Sequence, residues 1–258
     1  MTGTGLADHA PHSEAADPYC LRPGEAAALL AGHPWRRFAV LGDSVAEGVG
    51  DRIDGYHPLP FADRLAAELT AARPELAYLN LGRHGLRARE LRPRQLAPAL
   101  AFAPDLALVV CGANDALRPG YGTRADAVDH EITGTIRALQ DAGALVITVS
   151  LFVWPDYPGL PAWLAPPPAE RMATLARRTT ALATALGTVH VDLAGHPAAA
   201  DHSTIGGDGL HANARGQAIT AAETIRRLGT ALGNAYPAPE ATRSRALHAD
   251  TPTRGSQG

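Results

Sequence analysis

The stretch "FAVLGDSVAEGVGD", Phe38 to Asp51, begins as an apolar run and ends among glycines. Between the two stands Gly42-Asp43-Ser44, so the chain leaves a buried strand and at once presents a carboxylate and a hydroxyl. Two readings compete. Asp and Ser are favoured at helix N-caps, because their side-chain oxygens accept the orphan N–H groups of a first turn. A hydroxyl just past the carboxyl end of a strand can also be a nucleophile, because open α/β sheets bind their ligands at that edge. The tripeptide alone leaves both open, and the rest of the chain has to decide.

Four further β-branched-rich runs follow: "LAYLNLG" (76–82), "DLALVVCG" (105–112), "ALVITVS" (144–150) and "TVHVDL" (188–193). The segments between them have helical spacing. "LPFADRLAAELTAA" puts Phe61, Leu65 and Leu69 on one face, and "AVDHEITGTIRALQDAG" does so with Ile132, Ile136 and Leu139 before a glycine stop. Strands that alternate with helices give a parallel sheet covered on both faces, since parallel strands need crossovers. The chemistry should therefore sit just after the strands.

The composition bounds the reading. With 258 residues and 46% hydrophobic residues, the chain can bury one sizeable α/β core. A net charge of -3, spread along the chain, gives no basic stripe for nucleic acid and no basic amphipathic helix for a membrane surface. No apolar run reaches the roughly 18 residues of a membrane span. The first twenty residues lack a basic region and an apolar region of signal-peptide type, and Cys20 and Cys111 make no disulfide framework. The expected location is the cytoplasm. All 23 basic residues are arginine, so mechanisms that need a lysine are excluded. Residues 1–20 are polar and Ala/Pro-rich, and those from 236 onward lack periodicity. One domain is expected over 21–235, between disordered ends at 1–20 and 236–258.

Each strand end offers a distinct group. Strand one is followed by Asp43-Ser44, strand two by "NLGRHG", strand three by "GAND", and the last loop carries "GGDGLHANARGQ". Together these supply a hydroxyl, glycine amides, an Asn amide and an Asp/His pair, the set an acyl-transfer site needs. Singly, each has an ordinary alternative: Asp208 or Asn213 as the cap of the last helix, Asn114 as a turn residue, Gly82 as the place where the chain turns. Other motifs fail. No serine sits in G-x-S-x-G, His130-Glu131 does not continue to H-E-x-x-H, and neither phosphate-binding glycine motif is present.

Taken together, Gly42-Asp43-Ser44, Gly82, Gly112-x-Asn114-Asp115 and Asp208-x-x-His211 resemble the four sequence blocks of the SGNH (GDSL-type) hydrolases, in the family's order, over about residues 37–230. Val45 stands at the fourth letter of the GDSL block, and "RHG" after Gly82 is an unusual continuation. The resemblance implies a flavodoxin-like three-layer α/β/α sandwich with a five-stranded parallel sheet of order 2-1-3-4-5. It also implies a serine hydrolase that cleaves a carboxylic ester through an acyl-enzyme, with no metal and no organic cofactor. Ser44 would be the nucleophile, His211 the base and then the acid, and Asp208 its orienter. The Ser44 and Gly82 N–H groups and the Asn114 side chain would form the oxyanion hole. An acyltransferase sharing this machinery and a ligand-binding module without turnover are the alternatives. The expected partner is a small acyl ester, whose acyl group and alcohol the sequence leaves open.

Several residues keep two readings. Asp43 holds the nucleophile turn or acts as an acid, and Asp115 fixes its own turn. His84 either lines the pocket or only neighbours it. Arg83 and Arg118 either meet an anionic acyl group or are ordinary exposed arginines. The proline-rich loop "WPDYPGLPAWLAPPP" (154–168) places Trp154, Tyr157 and Trp163 either as walls of an acyl pocket or as packing. His190, His196 and His202 have no partner at metal-ligand spacing.

Overall fold

The computed structural model describes residues 13–161 and 167–236. Trp163 and the segments 1–12 and 237–258, the larger part of both expected disordered ends, lie outside the described residues. Five parallel strands form the sheet: β1 (Arg37–Gly42), β2 (Ala77–Asn80), β3 (Leu106–Val110), β4 (Leu145–Ser150) and β5 (Val189–Asp192). Their order is β2-β1-β3-β4-β5. Beyond its first residue β1 is buried throughout, and so is β3. Strands covered on both faces read as continuous apolar runs, which is why their residues do not alternate.

Helices cover the two faces. α1 (Glu25–Leu29), α3 (Phe61–Ala72) and α9 (Ala214–Ala231) pack together on one side. On the other, α4 (Ala88–Leu91) meets α7 (Tyr121–Asp141), which packs on α8 (Pro168–Leu186). Two single-turn helices, α2 (Ser44–Glu47) and α6 (Ala113–Ala116), start immediately past β1 and β3. α4 runs through a π-helical turn, Arg92–Leu96, into α5 (Ala97–Phe102). Phe38, Leu41, Leu108 and Ile147 of the strands and Phe61, Leu65 and Ile136 of the helices are fully buried between the layers.

The strand order places the site. The chain leaves β1 toward β2 on one side and returns to β3 on the other. β1 and β3 therefore form the topological switch point, where the two connections diverge and open a crevice. Gly42 and Val110 are register partners at the carboxyl end of that pair.

The fold begins earlier than the expected boundary at residue 21. Residues 13–20 are part of the packed structure, with a 3-10 turn at Glu14–Ala16. The fully buried Asp17 carboxylate accepts hydrogen bonds from Arg215 Nε at 2.7 Å and from the Tyr56 hydroxyl at 2.8 Å. Arg215, 4% exposed, also bonds Asp201. Arg226 donates to the Tyr19 and Cys20 carbonyls. The segment was unreadable because its partners lie about two hundred residues away on α9. Asp17→Ala takes from the buried Arg215 guanidinium one of its two carboxylate partners, and breaking a buried pair typically costs about 3–5 kcal/mol. Chemical denaturation is expected to show a loss of that size; a change under about 0.5 kcal/mol is what a loose surface segment would give.

Candidate active site

β1 ends where backbone and side chain are both constrained. Gly42 has φ 151°, and a Cβ there would lie 1.9 Å from the Val110 carbonyl oxygen, so only glycine fits. Gln95, in the π-helical turn and buried, locks the same residue. Its Oε1 accepts the Gly42 N–H at 2.8 Å, and its Nε2 donates to the Gly42 carbonyl at 2.9 Å and the Leu81 carbonyl at 2.6 Å. Asp43 is the N-cap of α2, with Oδ1 accepting the Val45 N–H at 3.1 Å, and Ser44 is the first helical residue. Both opening readings are thus compatible in geometry: Asp43 caps, and Ser44 projects from the first turn.

The Ser44 hydroxyl lies 2.8 Å from His211 Nε2. His211 Nδ1 is 2.6 Å from Asp208 Oδ2, and the Asp208 Oδ1 accepts the backbone N–H groups of Leu210 and His211, each at 2.9 Å. With Nδ1–H donated to the carboxylate, Nε2 is the free lone pair facing the hydroxyl. Ser44 and His211 are buried, while Asp208 is half exposed. Its partial desolvation is outweighed by the hydrogen bonds from His211 and Leu210, which hold its carboxyl below the usual aspartate value.

α6 brings Asn114 to the same place. Asn114 lines one cavity with Ser44 and His211, and its Nδ2 spends one N–H on the Leu86 carbonyl at 3.0 Å. Asp115 does more than shape its own turn: Oδ2 accepts the Ala88 N–H at 2.8 Å and so ties α6 to α4. Gly82 follows β2 and lies against α2. Its N–H is donated to Asn80 Oδ1 at 2.8 Å, and a Cβ there would come 2.2 Å from the Glu47 nitrogen, so this glycine serves close packing against α2. The turn that follows it stays near the site, for the His84 ring centroid is 5.9 Å from that of His211.

The cavity beside Ser44 holds about 60 Å³ and is walled by Phe61, Leu117, Phe152, Trp154, Tyr157 and Met172. Trp154 is a buried wall, its Nε1–H donated to Thr204 Oγ1 at 2.9 Å, and the Tyr157 hydroxyl is fixed to the Phe152 carbonyl at 3.2 Å. The proline-rich loop also docks on the loop that carries Asp208 and His211, with Gly159 N–H donating to the Gly209 carbonyl at 3.2 Å. Asp51 accepts the Gly207 N–H, and Asn213 caps α9 through the N–H groups of Arg215 and Gly216. Gln95, Asp51 and Asn80 carry no motif that would have singled them out. Among the described residues there is no group of three or more His, Cys, Asp or Glu placed to hold a metal ion, and no helix long and apolar enough to cross a membrane. His190 sits instead in a hydroxyl network with Thr148 and Ser150.

The GDSL-like lipase/acylhydrolase family matches residues 40–219, and the chain belongs to that family of hydrolases. Solved structures agree on the fold. An acetyl xylan esterase variant from Geobacillus stearothermophilus superposes with a TM-score of 0.58 at 17% identity, covering 78% of this chain and 97% of its own. A lipase/acylhydrolase from Enterococcus faecalis gives 0.58 at 21% identity, covering 76% and 96%. LAE5, an alpha/beta hydrolase enzyme from the metagenome of Lake Arreo, gives 0.56 at 20% identity, covering 77% and 96%. No curated protein sequence matches significantly.

Asp43 sets a pH dependence. Burial, with the Asp115 charge adding to it, pushes its carboxyl up to about 7, and Oδ2 has no hydrogen-bond partner among the described residues. An acid whose pKa is raised on folding favours the folded state while protonated. That stability is complete below the unfolded value, about 3.9, and is lost as pH climbs through about 7. Asp43→Asn keeps the Oδ1 acceptor and removes the charge. In denaturant titrations from roughly pH 4 to 8, wild type is expected to lose stability relative to this variant as pH rises.

Proposed function

We propose that the protein is a serine esterase that cleaves a carboxylic ester of a short acyl group through an acyl-enzyme on Ser44. The observation that carries this reading is the unbroken chain from the Ser44 hydroxyl to His211 Nε2 at 2.8 Å and from His211 Nδ1 to Asp208 at 2.6 Å. A serine hydroxyl is a weak nucleophile until a base removes its proton. His211 takes that proton as Oγ attacks the ester carbonyl, and Asp208 holds the tautomer and stabilises the imidazolium. His211 then returns the proton to the leaving alcohol. Water, deprotonated by His211, releases the acid from Ser44. The route needs no metal and no organic cofactor.

The negative oxygen that forms on attack needs donors already in place. Asn114 keeps one N–H of its amide unspent, and the Ser44 N–H has no partner among the described residues. The third donor is the N–H of Gly85 rather than that of Gly82. Gly82 has its amide engaged by Asn80, whereas Gly85 follows His84 at the rim and its N–H is free among the described residues.

Cavity size supports a short acyl chain. About 60 Å³ holds roughly four or five water-sized groups, and two of the walls, Trp154 and Tyr157, are fixed by hydrogen bonds. Structural relatives are consistent with this: the Geobacillus acetylxylan esterase Axe2, whose described catalytic mutants replace a serine, an aspartate and a histidine, acts on acetyl groups by name. Transfer of the acyl group to an alcohol uses the same residues, and product analysis with added alcohols separates the two outcomes.

The test is a panel of aryl and alkyl esters with intact-mass detection of acyl-Ser44. Acetyl to butyryl esters are expected to exceed octanoyl esters in kcat/KM by at least about tenfold, the order of effect a misfitting apolar group has in a closed pocket. Ser44→Ala is expected to abolish turnover and fluorophosphonate labelling while the circular dichroism spectrum stays unchanged; a folded, active variant overturns the assignment. Asn114→Ala is expected to lower kcat by about 10²–10³ with little change in KM, the usual cost of one oxyanion donor.

A further inference from the structure

Beside the Ser44 cavity, on the far side of α6, lies a second cavity of about 550 Å³. Arg87, Arg89, Arg118 and Arg124 line it, together with Asp115 and Glu131. Four guanidinium groups thus face two carboxylates, an excess of positive charge in a chain whose net charge is -3. The two acids do not consume the donors. Asp115 accepts its hydrogen bond from the Ala88 backbone, and Glu131 faces Arg92 at 4.0 Å. Arg87 pairs with Glu90 at 3.4 Å, and Arg124 spends one N–H on the Pro119 carbonyl. Arg89 and Arg118 make no ion pair among the described residues. Their planar, permanently charged forks suit the two oxygens of a carboxylate or phosphate.

The two cavities adjoin at α6. Asn114 and Leu117 line the Ser44 cavity, while Asp115 and Arg118, their neighbours in sequence, line the cationic one. One four-residue helix, α6, thus contributes side chains to both cavities.

We infer that this arginine-lined cavity binds an anionic group, phosphate or carboxylate, carried by the same molecule whose ester Ser44 attacks. The inference rests on the esterase reading and names the substrate class for it: a short acyl ester of an anionic alcohol. The acyl group enters the small apolar cavity, and the alcohol portion lies across α6 with its charge among Arg89 and Arg118. Neutral esters keep the chemistry and lose this anchor.

The experiment compares two acetate esters that differ only in the anion, 2-acetoxyethyl phosphate and ethylene glycol monoacetate. Wild type is expected to prefer the phosphate ester. Replacing both arginines, Arg89→Ala with Arg118→Ala, is expected to lower the ratio of the two kcat/KM values by about 100-fold or more, the order of two lost charge-assisted hydrogen bonds. An unchanged ratio overturns the proposal. Calorimetric titration with inorganic phosphate reads the cavity without turnover, and binding that the double variant loses supports it. If phosphate binds there while the ester ratio stays the same, the cavity takes a free anion and the substrate-borne claim falls. If neither ester is hydrolysed yet the double variant still loses phosphate binding, the esterase reading fails and the anion site stands.

Discussion

The contact of Gly42 with the Val110 carbonyl oxygen is the constraint on which the site depends. Two parallel strands end side by side at the switch point, with Gly42 and Val110 in register. The chain then has to turn sharply enough to start a helix at Ser44 without leaving the sheet edge. A positive φ and the absence of a Cβ permit that turn, and the Gln95 amide holds it by three hydrogen bonds. The cost of the arrangement is visible next door. Asp43 is carried wholly into the interior, where one carboxylate oxygen goes without a partner and burial raises its pKa to about 7.

The second half of the site is held by contacts between distant loops. Asp208 and His211 stand on a loop before α9, and nothing in that loop alone would keep it at β1. Asp51 accepts the Gly207 N–H, and Asn213 carries the chain into α9. Gly159, from the proline-rich loop, donates to Gly209. α9 is itself clamped from the other side by Asp17 and Glu25 through Arg215 and Arg226. The N-terminal segment therefore acts on the site at one remove, by fixing the helix whose first turn ends the Asp208–His211 loop.

α6 divides the chemistry of the crevice. On one side Asn114 faces the apolar cavity and Ser44; on the other Asp115 faces the arginines and ties α6 to α4 through Ala88. One short helix thus separates a largely apolar cavity from one lined by arginines. Such a partition favours a substrate that is itself divided, because each end is poorly solvated in the other's cavity.

The sequence by itself determined the layered α/β fold and the five strands, and it singled out Ser44, Asn114, Asp208 and His211, which the fold brings together. These were legible because strand periodicity is local, and because chemistry in a parallel sheet gathers after the strand ends, where each block could be read in place. Tertiary structure alone decided what the long-range contacts decide. It engaged Gly82 with Asn80 and packed it on α2, and it drew residues 13–20 into the fold through charges on α9. It set Gln95 under the Gly42–Ser44 turn and made Trp154 a cavity wall anchored to Thr204. It also gathered four arginines from two separate stretches of chain around one cavity. A hydrogen bond to a residue fifty or two hundred positions away leaves no period and no motif in the chain, so packing alone reveals it.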